Sequence, residues 1–183
     1  MVFVVVNAGN KDEDFAFWNA NLEGDAKLTV LDRALIAIQG PEAAEVMVAH
    51  EPVLAEMGFM ETARLMLFGV DAYVSRSGYT GEDGYEISVP ADQAERIWNT
   101  LLEDARVKPI GLGARDSLRL EAGFPLNGQD LSPEITPIEA GLGFFVDLGR
   151  PRPFPGREIL ERQKKSGTSR TCIGLRGQPG QPP

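Results

Sequence analysis

The residues best suited to chemistry lie in one stretch, Ser75–Pro90 (SRSGYTGEDGYEISVP). Gly78, Gly81 and Gly84 recur every third residue around Glu82 and Asp83, a composition that predicts a turn with positive φ into which a ligand can approach the backbone closely. The strand that follows alternates: Tyr85, Ile87 and Val89 share one face, Glu86 and Ser88 the other. Glu86 is therefore a fixed carboxylate on a rigid element, directly after an open turn. On spacing alone, the same residues also fit an ordinary hairpin turn and the solvated face of a half-buried strand.

Other groups carry less. Arg115 and Arg119 lie four apart on one face of a helix, and Asp116 is spaced to pair with Arg119 in a surface salt-bridge ladder. His50 ends an apolar helical stripe, the place of a satisfied or semi-exposed histidine. Glu139 can hydrogen-bond in a pocket or hold a turn. One cysteine, Cys172, and one histidine exclude an internal disulfide and leave little scope for metal ligation, and the lone thiol suits a reducing cytoplasm. A net charge of −9 over 183 residues argues against nucleic acid or an anionic membrane as partner. No apolar run approaches a membrane span.

The elements that position these groups alternate along the chain. Met1–Val6 is an apolar, β-branched run that reads as a buried strand, closed by Asn7 and Asn10. A short helix follows over Lys11–Asn21. Leu28–Leu31 and Leu35–Ile38 read as strands, and Gln39-Gly-Pro opens a helix with Ala43, Val46 and Met47 on its apolar face. Leu65–Phe68 and Ala72–Ser75 form a hairpin feeding the Gly-rich turn. Asp92 caps a helix whose face of Ala94, Ile97, Trp98, Leu101 and Leu102 is core. A further helix spans Ala114–Ala122 and stops at Gly123. The order predicts an α+β layer with helices on one side of an antiparallel sheet, most economically ferredoxin-like. Thr136–Asp147 reads as a turn and a strand, Phe154–Lys165 as a short helix, and Arg170–Leu175 as the start of a strand. The remaining residues to Pro183 are turn and linker chemistry.

SGYTGEDGYEI resembles the signature of the aminomethyltransferase (T-protein) family of the glycine cleavage system, within the wider tetrahydrofolate-binding enzymes. VVVNAGN, ALIAIQGPEA, PIGLGARDSLRLEAG and TPIEAGLGFFVDL resemble further blocks of that family, in the same order. The resemblance implies a division into 1–26, the latter part of a folate-binding first domain; 27–109, the ferredoxin-like middle domain; 110–165, a return to the first domain; and 166–183, the start of a truncated C-terminal domain or a tail. The chain would then be an internal fragment lacking the family's C-terminal β-rich domain.

The resemblance also implies a function: transfer of the methylene group from the aminomethylated lipoyl arm of a partner H-protein to tetrahydrofolate, with release of ammonia. It places Glu86, Arg115, Tyr79 and Asn7 at the folate, with Glu86 accepting hydrogen bonds from the pterin and Arg115 binding the carboxylate tail. The family's catalytic aspartate would lie before Met1, so no catalytic residue is assigned here, and the fragment alone would be weakly active or inactive. No metal and no covalent nucleophile are implied. Many relatives have an aromatic residue where Asn127 stands, which puts a local contact in doubt. Two alternatives are a folate-binding domain of a sarcosine- or dimethylglycine-type demethylating enzyme and a non-enzymatic folate-binding protein. The first needs a flavin domain, of which no dinucleotide fingerprint is present; the second has relatives with a reactive Cys-containing motif that this sequence lacks.

Overall fold

The period-two stretches become strands and the period-3.6 stretches become helices in the computed structural model, which describes residues 1–175. The chain divides into two units, Met1–Ala122 and Gly123–Pro183. In the first, α1 (Lys11–Asn21) precedes β1 (Arg33–Gln39), α2 (Ala43–His50), a 3-10 turn over Pro52–Glu56, β2 (Thr62–Leu67), β3 (Val70–Ser75) and β4 (Gly84–Pro90). Then come α3 (Ala94–Leu102) and α4 (Leu112–Glu121). The four strands form one antiparallel sheet of order β1-β4-β3-β2. The α+β layer predicted from the sequence is what the chain builds: an antiparallel sheet with α2 and α3 on one face, in the element order βαβββα.

That face is the core. Ile36 and Ile38 of β1, Ala72 and Val74 of β3, and Tyr85, Ile87 and Val89 of β4 pack with Val46 and Met47 of α2, Leu54, and Ile97 and Leu101 of α3, all buried. Each such apolar side chain contributes about 1.5–3 kcal/mol by leaving water. The alternation read in Tyr85–Val89 holds, since Glu86 points to the opposite face, half-buried. Register fixes its surroundings: Glu86 pairs with Ala37 of β1 and Ser75 of β3. The β2–β3 hairpin turns through Phe68 and Gly69, whose φ values of 52° and 76° are those of the two-residue turn that matches strand twist.

Several expectations differ. Met1–Val6 is not a strand: no described strand pairs with it, and Met1 and Val2 are 99% and 86% exposed. Apolar, β-branched composition favours extended backbone but supplies no ladder partner. Leu28–Leu31 is likewise irregular, with Val30 and Leu31 exposed. Asp92 lies in a 3-10 turn ahead of α3 and caps nothing. Trp98, expected in the core, is 40% exposed, because Ile97 and Leu101 occupy the sheet-facing side of α3. Arg119, expected in a surface ladder, is 3% exposed and donates to Asp116 at 2.7 Å.

In the second unit, Thr136–Asp147 folds as successive turns with a short 3-10 segment at Gly143–Phe145, and contains no strand. Arg170–Leu175 is also not a strand. Helix α5 spans Arg157–Ser166 and buries Leu160. Glu139 is buried and structural: it accepts from the Thr136 backbone N–H at 2.9 Å, the Thr136 hydroxyl at 3.2 Å and Arg170 at 3.1 Å. The Thr136 N–H and then Arg170 hold its carboxyl below the ordinary value. The linker reading of the last residues lies outside the described residues.

Candidate functional site

The Gly-rich loop joins the inner strands β3 and β4, and its conformation is set by side chains on either flank. Arg76 grips Asp83 with two hydrogen bonds, Nε to Oδ1 at 3.0 Å and Nη2 to Oδ2 at 2.6 Å, while Nη1 donates to Met57 O at 2.5 Å. Paired forks of this kind are the stronger class of charged contact. The Asp83 carboxyl is accordingly held below its ordinary value of 3.8, chiefly by Arg76, and burial opposes the shift. Asp83 also accepts from the Gly84 N–H at 2.9 Å and, through its backbone carbonyl, from Gly40 at 2.9 Å.

Gln39, at the end of β1, closes the loop from below. Its amide nitrogen donates to Ser77 O at 3.0 Å and Tyr85 O at 3.3 Å, and Thr80 donates to its oxygen at 3.4 Å. Gly78 and Gly84 are required by this packing. Only Gly81 of the three has a positive φ, 81°. A Cβ at Gly78 would meet the Gln39 side chain, and one at Gly84 would meet the Ile38 carbonyl oxygen.

Glu86 is treated differently. Its Oε2 accepts from the Ser77 hydroxyl at 3.2 Å, and Ser77 is itself 2.7 Å from Ser75 Oγ. No cation pairs with Glu86 among the described residues. The carboxylate opens into a cavity of about 380 Å³ on the outer face of the sheet, lined by Phe3, Val5, Leu35, Thr62, Arg64, Tyr73, Ser75 and Ser88 among others. Small-ligand sites have this size and this mixture of aromatic walls with a few placed polar groups. Phe3 stacks flat on Tyr73, with ring centroids 4.1 Å apart and planes 1° from parallel. The guanidinium of Arg33 lies 5.0 Å and that of Arg64 5.3 Å from the Tyr73 ring centroid. Arg64 is matched by Asp71 through bonds of 2.8 and 3.1 Å, and Arg33 bonds Ser88 and the Asp71 carbonyl. The cavity thus holds one half-buried carboxylate with acceptor capacity left over.

The four residues expected at the site are not gathered in one place. Arg115 of α4 stacks on Tyr79, 4.9 Å from its ring centroid, and lines a second cavity of about 470 Å³ beside β1. Asn7 is exposed, lines neither cavity, and accepts from the Asn10 N–H at 3.1 Å in the turn into α1. Tyr73, Phe3 and Ser77 escaped the sequence reading. The register Ser75↔Glu86 and Tyr73↔Ser88 sets Tyr73 and Ser75 on the Glu86 face, but the sequence does not state that register.

A family profile described as the GCVT N-terminal domain matches residues 1–150. The chain belongs to the GCVT family. It is 44% identical to an aminomethyltransferase of Desulfitobacterium hafniense, over 94% of this chain and 49% of the relative. It is 46% identical to an aminomethyltransferase of Burkholderia multivorans, over 94% of this chain and 48% of the relative. A crystal structure of glycine cleavage system aminomethyltransferase T from Bartonella henselae superposes with a TM-score of 0.83 at 40% identity, covering 90% of this chain and 46% of that one. The chain therefore spans about half the length of the family members it matches. Among the described residues no helix is long and apolar enough to cross a membrane.

Proposed function

We propose that the cavity around Glu86 is the pterin-binding wall of a tetrahydrofolate-dependent aminomethyltransferase of the glycine cleavage system. The observation that carries this reading is the Glu86 carboxylate, half-buried on a central strand with a single hydroxyl partner, beside the Phe3–Tyr73 stack. A carboxylate accepts two N–H donors side by side, and the amino and ring N–H groups of a pterin present such a pair. The fit extends to the walls, since the cavity offers aromatic surface for a flat heterocycle and hydroxyls at Ser75 and Ser88. Tyr79 and Arg115, stacked on each other, are proposed for the anionic tail, where a planar fork suits a carboxylate, and Asn7 for the rim.

Tetrahydrofolate supplies the nitrogen that takes up the methylene carbon, and the lipoylated H-protein is the proposed carrier of that carbon, with ammonia released. The work of this chain is orientation. Glu86 fixes the heterocycle in its plane, the Ser77 hydroxyl holds Glu86, and Gln39 holds Ser77 through its carbonyl. Such orientation supplies many orders of magnitude in rate. The proposed compartment is the cytoplasm. Ammonia release, followed while tetrahydrofolate is titrated with and without aminomethylated H-protein, tests the reading in this chain and in a full-length relative. Release that needs both components in the relative supports it. Release independent of tetrahydrofolate contradicts it.

A further inference from the structure

Two serines, Ser75 and Ser88, line the cavity that holds Glu86, and their hydrogen-bond partners set them in opposite senses. Ser75 stands across from Glu86 in the β3–β4 register, and its backbone is paired on the other side with Thr62 of β2. Its Oγ lies 2.7 Å from Ser77 Oγ, and Ser77 Oγ lies 3.2 Å from Glu86 Oε2. A hydroxyl has one proton to give and a carboxylate has none. Ser77 therefore gives its proton to Glu86, and the contact between the two serines is made with the proton of Ser75. With that proton spent on Ser77, Ser75 meets the cavity with lone pairs alone. Ser88 is the reverse. Arg33 Nε donates to Ser88 Oγ at 3.1 Å, and a guanidinium only donates, so the Ser88 proton is left to give.

On the reading of this cavity as a pterin site, on which the role of Ser75 rests, Glu86 accepts an amino and a ring N–H that oxidised and reduced pterins share. Glu86 therefore does not tell the two apart. The difference lies in the second ring. Its nitrogen on the same side as the amino group, N8, carries a hydrogen in dihydro- and tetrahydropterins and only a lone pair in the oxidised ring. An acceptor beside Glu86 is bonded by the reduced ring and faces a lone pair in the oxidised one. We propose that Ser75 is a specificity-determining residue: locked as an acceptor by Ser77, it takes the N8–H of a reduced pterin and disfavours the oxidised ring. Discrimination of this kind is effective because a polar group left without a partner in a desolvated pocket costs more than a made bond gains. Ser88, with a proton to give, suits a carbonyl oxygen of the ligand instead.

Calorimetric titration of this chain with tetrahydrofolate, dihydrofolate and folic acid, under argon, reads selectivity as a ratio of dissociation constants. Ser75→Ala should cut the preference for tetrahydrofolate over folic acid by about tenfold, and Ser75→Thr, which keeps the hydroxyl, should restore it. Dihydrofolate, which keeps N8–H but lacks N5–H, should respond to Ser75→Ala as tetrahydrofolate does. Ser77→Ala frees the Ser75 proton, so it should lower the same preference with Ser75 still in place, an effect that a merely structural serine would not give. Glu86→Ala should weaken all three ligands alike and leave their ratios unmoved. Each readout is a ratio within one variant, so a general loss of stability does not imitate it. An unchanged ratio in Ser75→Ala or Ser77→Ala, with binding still lost in Glu86→Ala, would overturn the role of Ser75 and leave the pterin site standing. A dihydrofolate response matching that of folic acid would overturn it too, by moving the sensed N–H to N5. No folate binding, or indifference to Glu86→Ala, would overturn both the role of Ser75 and the pterin site.

Discussion

Asp83 and Glu86 are three residues apart and end in opposite circumstances. Asp83, in the turn, is consumed: Arg76 clamps both its oxygens, Gly84 donates to it, and its carbonyl ties the loop to Gly40. Glu86, in the strand, is spared: one serine hydroxyl meets it, and a cavity lies in front of it. The contrast teaches that acidity near a Gly-rich turn does not mark a ligand site. The proposed site rests instead on a carboxylate whose backbone is paired on both sides and whose side chain meets a single hydroxyl beside a cavity.

The largest effect should come from breaking the turn. Gly84→Ala sets a methyl against the Ile38 carbonyl, a backbone atom that cannot move without shifting β1. Stability should fall by about 2–3 kcal/mol, read as a shift in the denaturant midpoint at constant m. Gly78→Ala should cost less, because the atoms it meets belong to the Gln39 side chain. Equal costs would mean that the β1–loop contact is not the constraint.

Asp83→Asn should cost about 1–2 kcal/mol at neutral pH, the value of charge-assisted bonds reduced for partial exposure. A carboxyl with a depressed folded pKa contributes stability above its unfolded value, and this is lost as the pH falls through the folded one. Asp83 is depressed from 3.8, so the advantage of wild type over Asp83→Asn should be constant near neutrality and shrink below about pH 4. A difference that does not change with pH would mean that the clamp acts through shape rather than charge. Tyr73→Leu should do least to the fold, about 0.5–1.5 kcal/mol from the lost Phe3 stack, and should weaken tetrahydrofolate binding several-fold in fluorescence titration.

Much of this frame was legible in the sequence, for reasons that differ by residue. Tyr85–Val89 declared itself because strict alternation leaves only one burial pattern for a strand with one buried face, and α3 did so through Ile97 and Leu101. Met1–Val6 misled because a β-branched run is silent about its partner. Instead of joining the sheet, this segment lays Phe3 over Tyr73 and walls the Glu86 cavity. Trp98 misled because five apolar residues on α3 share a side that the sheet covers only in part. Of the residues around the proposed site the sequence singled out Glu86 but not Tyr73, Ser77 or Phe3, since those converge through register and through contacts distant in sequence.

Tetrahydrofolate binding by Glu86→Ala, set against Glu82→Ala, is the most direct test of the role given to Glu86. Titration should be run on this chain and on a full-length relative carrying the matching substitutions. Glu86→Ala should weaken binding by about tenfold to a hundredfold, the equivalent of one hydrogen bond to a charged group, with the denaturant midpoint nearly unmoved. Glu82, exposed in the turn, should leave both quantities unchanged. Equal losses at the two positions, or a larger loss at Glu82, would contradict the assignment and move the site from the strand to the turn.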